Sequence, residues 1–177
     1  MKKLGVCIGL IGFAVVLYAA FSHAGVVPGK AIVHSDPLTG YQEATPAAVS
    51  SVATGSFLAS IDDNAGTIDY TLSYTGLEAT ATVAHIHFGN RSTNGGVAVF
   101  LCGGGGRPAC PTPSGTVTGT ITAADVVGPT GQGIAPGELD ELISAIRAGV
   151  AYANVHSSKF PMGEIRGQIN NDNQRQP

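Results

Sequence analysis

The chain has 177 residues, enough for one domain of ordinary size. Charged residues make up only 12% and the formal net charge is −3, which excludes both the basic surface of a nucleic-acid-binding protein and the charge density of a disordered tail. The 25 glycines and 10 prolines are scattered rather than periodic, which excludes collagen and favours many short strands joined by turns.

The first 24 residues are predicted to be a secretory signal peptide. Two lysines precede an apolar run over residues 4–21, and Ser22-His23-Ala24 provides small residues on both sides of His23 for cleavage before residue 25. An uncleaved anchor is the alternative, because a run of about 18 apolar residues can just span a bilayer. We therefore expect residues 25–177 to form a single secreted or periplasmic domain that has no membrane contact after cleavage.

Alternating apolar and polar residues predict an antiparallel β structure. Between residues 67 and 74, Ile68, Tyr70, Leu72 and Tyr74 alternate with polar residues, as expected of a hairpin strand with one wet face. Comparable patterns with turn residues between them predict eight strands. They cover residues 31–34, 55–61, 67–74, 82–88, 97–101, 115–122, 150–156 and 163–169.

One helix is predicted over residues 136–148. Pro136 suits the first turn, acidic side chains follow it, and apolar residues from Leu139 to Ile146 recur with the helical period. Gly149 is expected to end the helix. Strands with a wet face, no regular alternation of strand and helix, and one late helix predict an all-β antiparallel sandwich or Greek-key barrel.

Two cysteines, Cys102 and Cys110, belong to the predicted mature chain. Because an exported protein enters an oxidising compartment, we predict a disulfide between them that closes a short glycine-rich loop. Thiolate ligation of a metal is the alternative.

Two histidines on one predicted strand form the most informative motif. In Ala84-His85-Ile86-His87-Phe88, residues two apart point to the same side, so His85 and His87 share a face with Cα atoms about 6–7 Å apart. Two imidazoles at this spacing can bind one ion, and imidazole suits copper, zinc, iron or nickel. A polar strand face without a ligand is the alternative.

A third ligand is predicted on a later strand. Residues 150–156 place small apolar side chains on one face, so that Tyr152, Asn154 and His156 face outward. If this strand lies beside residues 82–88, His156 completes a site of three imidazoles. Calcium or magnesium would require carboxylates instead.

Two further histidines offer weaker alternatives. His34 is considered as a fourth ligand but is expected to be an ordinary residue at a strand end. Cleavage after Ser22 would make His23 the first residue, whose amine and ring could form a copper brace with another histidine.

A carboxylate and an arginine share one face of the last predicted strand, in Gly163-Glu164-Ile165-Arg166-Gly167. Glu164 is predicted to hold a ligand histidine in one tautomer, and Asn154 to support the same site. Arg166 is predicted to attract a small anion to the metal. A structural ion pair is the alternative. The sequence shows no arrangement typical of a hydrolase.

The motifs of this sequence, taken in the order in which they occur along the chain, resemble those of the CHRD domain, a module of bacterial and animal extracellular proteins. The resemblance spans about Val33 to Ile169 and implies an all-β fold without implying an activity. Thr45-Pro46-Ala47 departs from the family's Val-Pro-Pro type of run, and the loop at 103–113 looks like an insertion. The matching segments are Leu38-Thr39-Gly40-Tyr41-Gln42-Glu43, Ala53-Thr54-Gly55, Ala84-His85-Ile86-His87, Asn94-Gly95-Gly96-Val97, Ala148-Gly149 with Tyr152-Ala153-Asn154-Val155-His156, and Phe160-Pro161-Met162-Gly163-Glu164-Ile165-Arg166-Gly167-Gln168.

A looser similarity connects the chain to copper/zinc superoxide dismutase. That family carries a strand His-x-His pair, a later Val-His copper ligand and a C-terminal arginine, and His85, His87, His156 and Arg166 occur here in that order. The similarity implies a barrel like that of the dismutase and a mononuclear copper site, because the zinc-loop cluster with its bridging histidine has no counterpart. Copper is therefore the expected ion, with zinc or no metal as alternatives.

Two functions follow as hypotheses. The first is an exported copper-binding β-sandwich protein that handles copper or performs superoxide-type redox chemistry, with a metal ion and a small anion as partners; whether it is an enzyme is left open. The second is a non-enzymatic extracellular or periplasmic structural module, whose histidines and Glu164–Arg166 face stabilise the sheet or bind another protein. A nucleic-acid partner is not expected.

Overall fold

The computed structural model describes residues 31–44 and 46–169. The predicted signal peptide over residues 1–24, and with it the copper-brace candidate His23, lies outside the described residues. Within the described part of the chain, no helix has both the length and the apolar character needed to cross a bilayer.

Eight strands and one helix make up the regular structure of the described residues, apart from three short 3-10 turns. The eight predicted strands are all present, although the first ends at Thr39 rather than His34 and the last is shorter than predicted. The elements are β1 (Ala31–Thr39), β2 (Thr54–Asp62), β3 (Thr67–Thr75), β4 (Ala81–Phe88), β5 (Gly96–Cys102), β6 (Gly115–Ile121), α1 (Leu139–Arg147), β7 (Ala151–Ser157) and β8 (Ile165–Gln168).

The strands form one antiparallel sheet in the order β5-β4-β7-β8-β1-β2-β3-β6, which confirms the all-β fold class. The sheet curls into a nearly closed barrel. One hydrogen bond across the barrel joins β3, the neighbour of the edge strand β6, to the other edge strand, because the Tyr70 hydroxyl donates to the Leu101 carbonyl of β5 at 2.8 Å. Because the core fills the inside of this curved sheet, the alternate side chains of each strand lie on the outer face.

The β2–β3 hairpin shows how alternation builds the core. Phe57 pairs with Leu72 and Ile61 with Ile68 across the two strands, and all four side chains are buried. The intervening Asp69 is exposed, as predicted for a wet face. Each such apolar side chain contributes about 1.5–3 kcal/mol when it is removed from water.

The predicted helix is confirmed, but it begins at Leu139 rather than Pro136. Gly137 adopts a left-handed φ of 90°, which an α-helix cannot contain, so the chain turns before the helix starts. Leu142 and Ile146 bury its apolar face completely. Gly149, with φ of 71°, ends the helix as predicted.

The predicted disulfide between Cys102 and Cys110 is present at the end of β5. The enclosed loop also has internal hydrogen bonds, from the Gly103 amide to the Pro108 carbonyl and from the Arg107 amide to the Gly104 carbonyl. The disulfide therefore closes a compact turn beside the strand that carries Phe100.

Loss of this disulfide should destabilise the protein. In the Cys102→Ala/Cys110→Ala variant, we expect the free energy of unfolding to fall by about 2.5 kcal/mol, because the unfolded chain regains the freedom of a short loop. Urea denaturation measures the difference, and reduced wild type should match the variant. A loss below about 1 kcal/mol would mean that the loop's hydrogen bonds hold it without the cross-link.

Candidate metal centre

Three histidines from β4 and β7 meet on the outer face of the sheet. Nδ1 of His85 lies 3.2 Å from Nε2 of His156, and the ring centroids of His85 and His87 are 5.2 Å apart. One ring nitrogen from each histidine lies within 4.8 Å of the other two. The structure thus brings together the predicted ligands His85, His87 and His156, which we call the histidine cluster.

The pairing of β4 with β7 creates this cluster. His85 lies opposite Asn154 and His87 opposite Tyr152, and Val83 lies opposite His156 in the same register. His156 is therefore the diagonal neighbour of His85. Diagonal side chains on one face of an antiparallel pair are within reach of each other when they are long or aromatic.

The outward face of β7 is not exposed to solvent. Tyr152, Asn154 and His156 point away from the core as predicted, yet all three are buried. Residues 89–95 and 160–163, which we call the covering segments, lie over this face and hydrogen bond to it. The histidine cluster is consequently a buried polar site rather than a surface patch.

Backbone carbonyls of the covering segments orient two of the rings. Nδ1 of His87 lies 3.0 Å from the Gly95 carbonyl, and Nδ1 of His156 lies 3.1 Å from the Pro161 carbonyl. A neutral imidazole that donates from Nδ1 keeps its lone pair on Nε2. Both rings therefore direct a metal-binding nitrogen toward the cluster, as metal-ligating histidines do.

The cluster is uncharged at neutral pH. Burial, together with the adjacent His156 and His87, lowers the pKa of His85 to about 3. Burial likewise lowers the pKa of His87 to about 4, partly opposed by the hydrogen bond to Gly95, and lowers that of His156. Metal ions bind neutral imidazole, so no proton has to be removed from a charged ring.

One nitrogen of the cluster has no partner. Among the described residues, Nε2 of His87 is buried and makes no hydrogen bond. Buried polar atoms are nearly always paired, since an unpaired one costs about 1–3 kcal/mol. An ion bound between the rings would satisfy this atom, so the residues present fit a metal.

Arg166 lies at the site but is engaged by protein groups. Its guanidinium stacks 3.7 Å from the centre of the Tyr152 ring, and Tyr152 in turn stacks on His87 at 4.8 Å. Its N–H groups donate to the carbonyls of Thr93 and Asn90. Arg166 thereby holds one covering segment over the histidine cluster.

Glu43 belongs to the site although it was not among the predicted site residues. Its carboxylate accepts a hydrogen bond of 2.6 Å from Nδ2 of Asn154, whose other proton goes to the Ile165 carbonyl. Burial raises the pKa of Glu43 to about 7, against the lowering effects of Asn154 and Arg166. Asn154 thus supports the site through Glu43. In the sequence, the motif over residues 38–43 supported only the family resemblance and did not indicate that Glu43 belongs to the site.

Two predicted residues lie apart from the cluster. Glu164 is fully buried, and its Oε1 accepts hydrogen bonds from the Ser51 hydroxyl and the Glu78 amide rather than from a histidine. The tautomer-fixing role foreseen for Glu164 falls to the carbonyls that bind the two Nδ1 atoms. His34 is exposed on β1 and is not part of the cluster.

A narrow cleft of about 160 Å³ leads to the cluster. Charged, polar and apolar side chains share its wall, and two of the ligand histidines form part of it. Its lining consists of Glu43, His87, Asn94, Gly95, Tyr152, Asn154, His156, Pro161, Met162 and Arg166.

A family model of the CHRD domain matches residues 35–169. Because this match covers most of the chain, the protein belongs to the CHRD domain family, and the resemblance seen in the motifs is confirmed. No curated protein and no solved structure matches the chain. The looser similarity to copper/zinc superoxide dismutase is therefore not confirmed by a comparison.

The buried imidazoles should make the metal-free protein sensitive to mild acid. The pKa of His87 falls from 6.5 to about 4, so between these values the unfolded chain binds a proton that the folded chain rejects. The neutral His87 ring therefore costs the folded protein no unfolding free energy above pH 6.5, and the unfolding free energy decreases as the pH falls from 6.5 toward 4. From pH 7 to pH 5, we expect wild type to lose about 2 kcal/mol more unfolding free energy than His87→Gln.

Urea denaturation of both metal-free proteins at each pH measures this difference. Glu43 titrates in both proteins with a raised pKa, so its opposite contribution cancels in the comparison. Parallel stability profiles for wild type and His87→Gln would show that His87 keeps its ordinary pKa.

Proposed function

We propose that this CHRD-domain protein is exported and binds one copper ion through His85, His87 and His156. The observation that carries the proposal is the buried, unpartnered Nε2 of His87 in a cluster of three histidines that each offer one ring nitrogen within 4.8 Å of the others. Export is supported by the extracellular occurrence of the family and by the predicted signal peptide.

The hydrogen bonding of the cluster favours a metal over a purely structural role. Nε2 of His156 carries a lone pair, so in the metal-free protein the short contact requires His85 to donate from Nδ1. This single proton serves two rings and leaves Nε2 of His87 without a partner. An ion in place of that proton would be bound by all three rings, and His85 would carry its proton on Nε2 instead.

The donor set favours copper. No carboxylate belongs to the histidine cluster, which argues against calcium and magnesium. Among divalent first-row metals, nitrogen sites bind copper more tightly than zinc, and imidazole also accommodates the cuprous ion. The order of His85, His87 and His156 in the sequence, shared with the copper ligands of the dismutase family, adds to this expectation.

Copper handling is the role that the surroundings support best. A cleft of about 160 Å³ has room for roughly five water-sized molecules, which is enough for an ion or a very small ligand. The buried ring nitrogens would hold copper away from bulk solvent. Storage or transfer of copper in an exported protein requires no more than this.

Superoxide-type redox chemistry is the second candidate, favoured by Arg166 in the wall of the same cleft. A cation beside the metal would attract a small anion. Glu43 lies close enough to interact with the charge of Arg166 and offsets part of that attraction. We therefore rank superoxide-type redox chemistry below copper handling as a candidate function.

Copper binding should depend on the cluster histidines. We expect residues 25–177 to bind one copper ion per chain, and His87→Gln to weaken binding by about 100-fold, which corresponds to roughly 2.7 kcal/mol. Metal analysis and chelator competition measure both values. His34→Gln serves as the matched control, because His34 is exposed on β1, and its affinity should equal that of wild type.

Copper should also stabilise the fold by mass action. With free copper at 100 times its Kd, the unfolding free energy should rise by about 2.7 kcal/mol in wild type, and His87→Gln should lose this gain while still folding. Absence of bound copper in wild type would contradict the proposal and leave the histidines with the structural role of the alternative hypothesis.

Arg166 distinguishes the two candidate roles. If copper-loaded wild type consumes superoxide, Arg166→Gln should slow the reaction roughly tenfold while keeping its copper, because the steering charge is lost. Arg166→Lys should recover much of the rate, and Arg147→Gln, on α1, should not change it. Loaded wild type that consumes superoxide no faster than the metal-free protein would exclude the redox role.

A further inference from the structure

One sulfur atom stands at the mouth of the cleft. Met162 lines the cleft together with His87 and His156, and 60% of its surface is exposed. Outside the Cys102–Cys110 disulfide, it carries the only sulfur atom in the part of the chain that the structure describes. Single exposed apolar side chains are common, so the exposure of Met162 is not informative by itself. The relevant observation is that Met162 lies in the wall of the cleft beside two histidines of the cluster.

The backbone on both sides of Met162 is fixed to the site. The Pro161 carbonyl contacts Nδ1 of the ligand His156 at 3.1 Å. Gly163 follows with φ of 131°, and a Cβ atom there would lie 2.7 Å from Oε1 of Glu43, so the chain is packed tightly against the site. Met162 is thus anchored one residue from a ligand-orienting carbonyl, while its flexible thioether chain can still move.

Two oxygen donors of the cleft wall are engaged. The Tyr152 hydroxyl accepts a hydrogen bond from the Gly95 amide, and Oε1 of Glu43 accepts one from Asn154. Glu43 is also not a member of the histidine cluster. Met162 brings a soft sulfur donor to the same wall, on a flexible side chain that can turn toward an ion.

We propose that the thioether of Met162 is a fourth ligand that makes the site selective for the cuprous ion. This inference rests on the proposed three-histidine copper site. Cuprous copper is a soft ion that binds thioethers, whereas zinc sites in proteins are built from imidazole, carboxylate and thiolate. Three neutral rings and one thioether add no negative charge, which suits a singly charged ion in a buried site.

The test compares affinities for two ions. Cuprous affinity is measured by competition with bicinchoninate, and zinc affinity by competition with a chromophoric zinc chelator. We expect Met162→Leu, which keeps the bulk and removes the sulfur, to weaken cuprous binding at least tenfold and to change zinc binding less than twofold. X-ray absorption should detect a copper-bound sulfur in wild type and none in Met162→Leu.

A swapped variant controls for sulfur content. Leu58 is exposed on β2, away from the cleft, so Leu58→Met/Met162→Leu keeps one thioether on the surface but moves it. This variant should bind cuprous copper as weakly as Met162→Leu. Equal cuprous affinity in wild type and Met162→Leu, or equal losses for both ions, would overturn the inference.

His87→Gln separates this inference from the site on which it rests. If His87→Gln leaves cuprous affinity unchanged, the three-histidine site fails and the role of Met162 fails with it. If His87→Gln loses cuprous affinity but Met162→Leu does not, the histidine site stands and only the fourth ligand is rejected.

Discussion

The register between β4 and β7 is the constraint on which both the core and the candidate metal centre depend. Ala84 and Ile86 of β4 and Ala153 of β7 are completely buried on the inner face, which fixes the alternating residues on the outer face. A slip of one residue would exchange the two faces, sending His85 and His87 into the core. Burial of the apolar side chains, at about 1.5–3 kcal/mol for a larger one such as isoleucine, therefore also holds the imidazoles in place.

The second constraint is the cover over this outer face. Arg166 stacks on Tyr152 and donates to carbonyls of residues 89–95, while Gln168 donates to the carbonyl of Gly89. Hydrogen bonds from charged groups contribute about 1.5–3 kcal/mol, and a desolvated cation–π contact about 2 kcal/mol. Arg166 therefore has a structural role whatever its role toward anions. The carbonyls that orient the ligand rings depend on the segments that it helps to hold.

Local patterns were enough to predict the strands, the helix and the His85–His87 pair, because each depends on residues two to four apart in the sequence. The place of His156 beside this pair depended on assuming which strand adjoins residues 82–88. The burial of the site could not be predicted in this way. It arises from contacts such as Glu43 with Asn154 and Arg166 with Thr93, which join irregular segments distant in sequence. The start of the helix was missed for a local reason, since the left-handed turn at Gly137 overrides the preference of proline for a first turn.

The energetics of the cluster explain how a stable fold can contain an unsatisfied site. Three neutral imidazoles are buried with one nitrogen unpaired, which costs about 1–3 kcal/mol in the metal-free protein. The apolar face beneath them is completely buried and supplies stability independently of any ligand. An ion present at 100 times its Kd adds about 2.7 kcal/mol, close to the cost of the unpaired atom. The barrel can therefore fold without an ion, with the three rings already neutral and aligned, and the copper ion that we propose would remove a local penalty rather than create the fold.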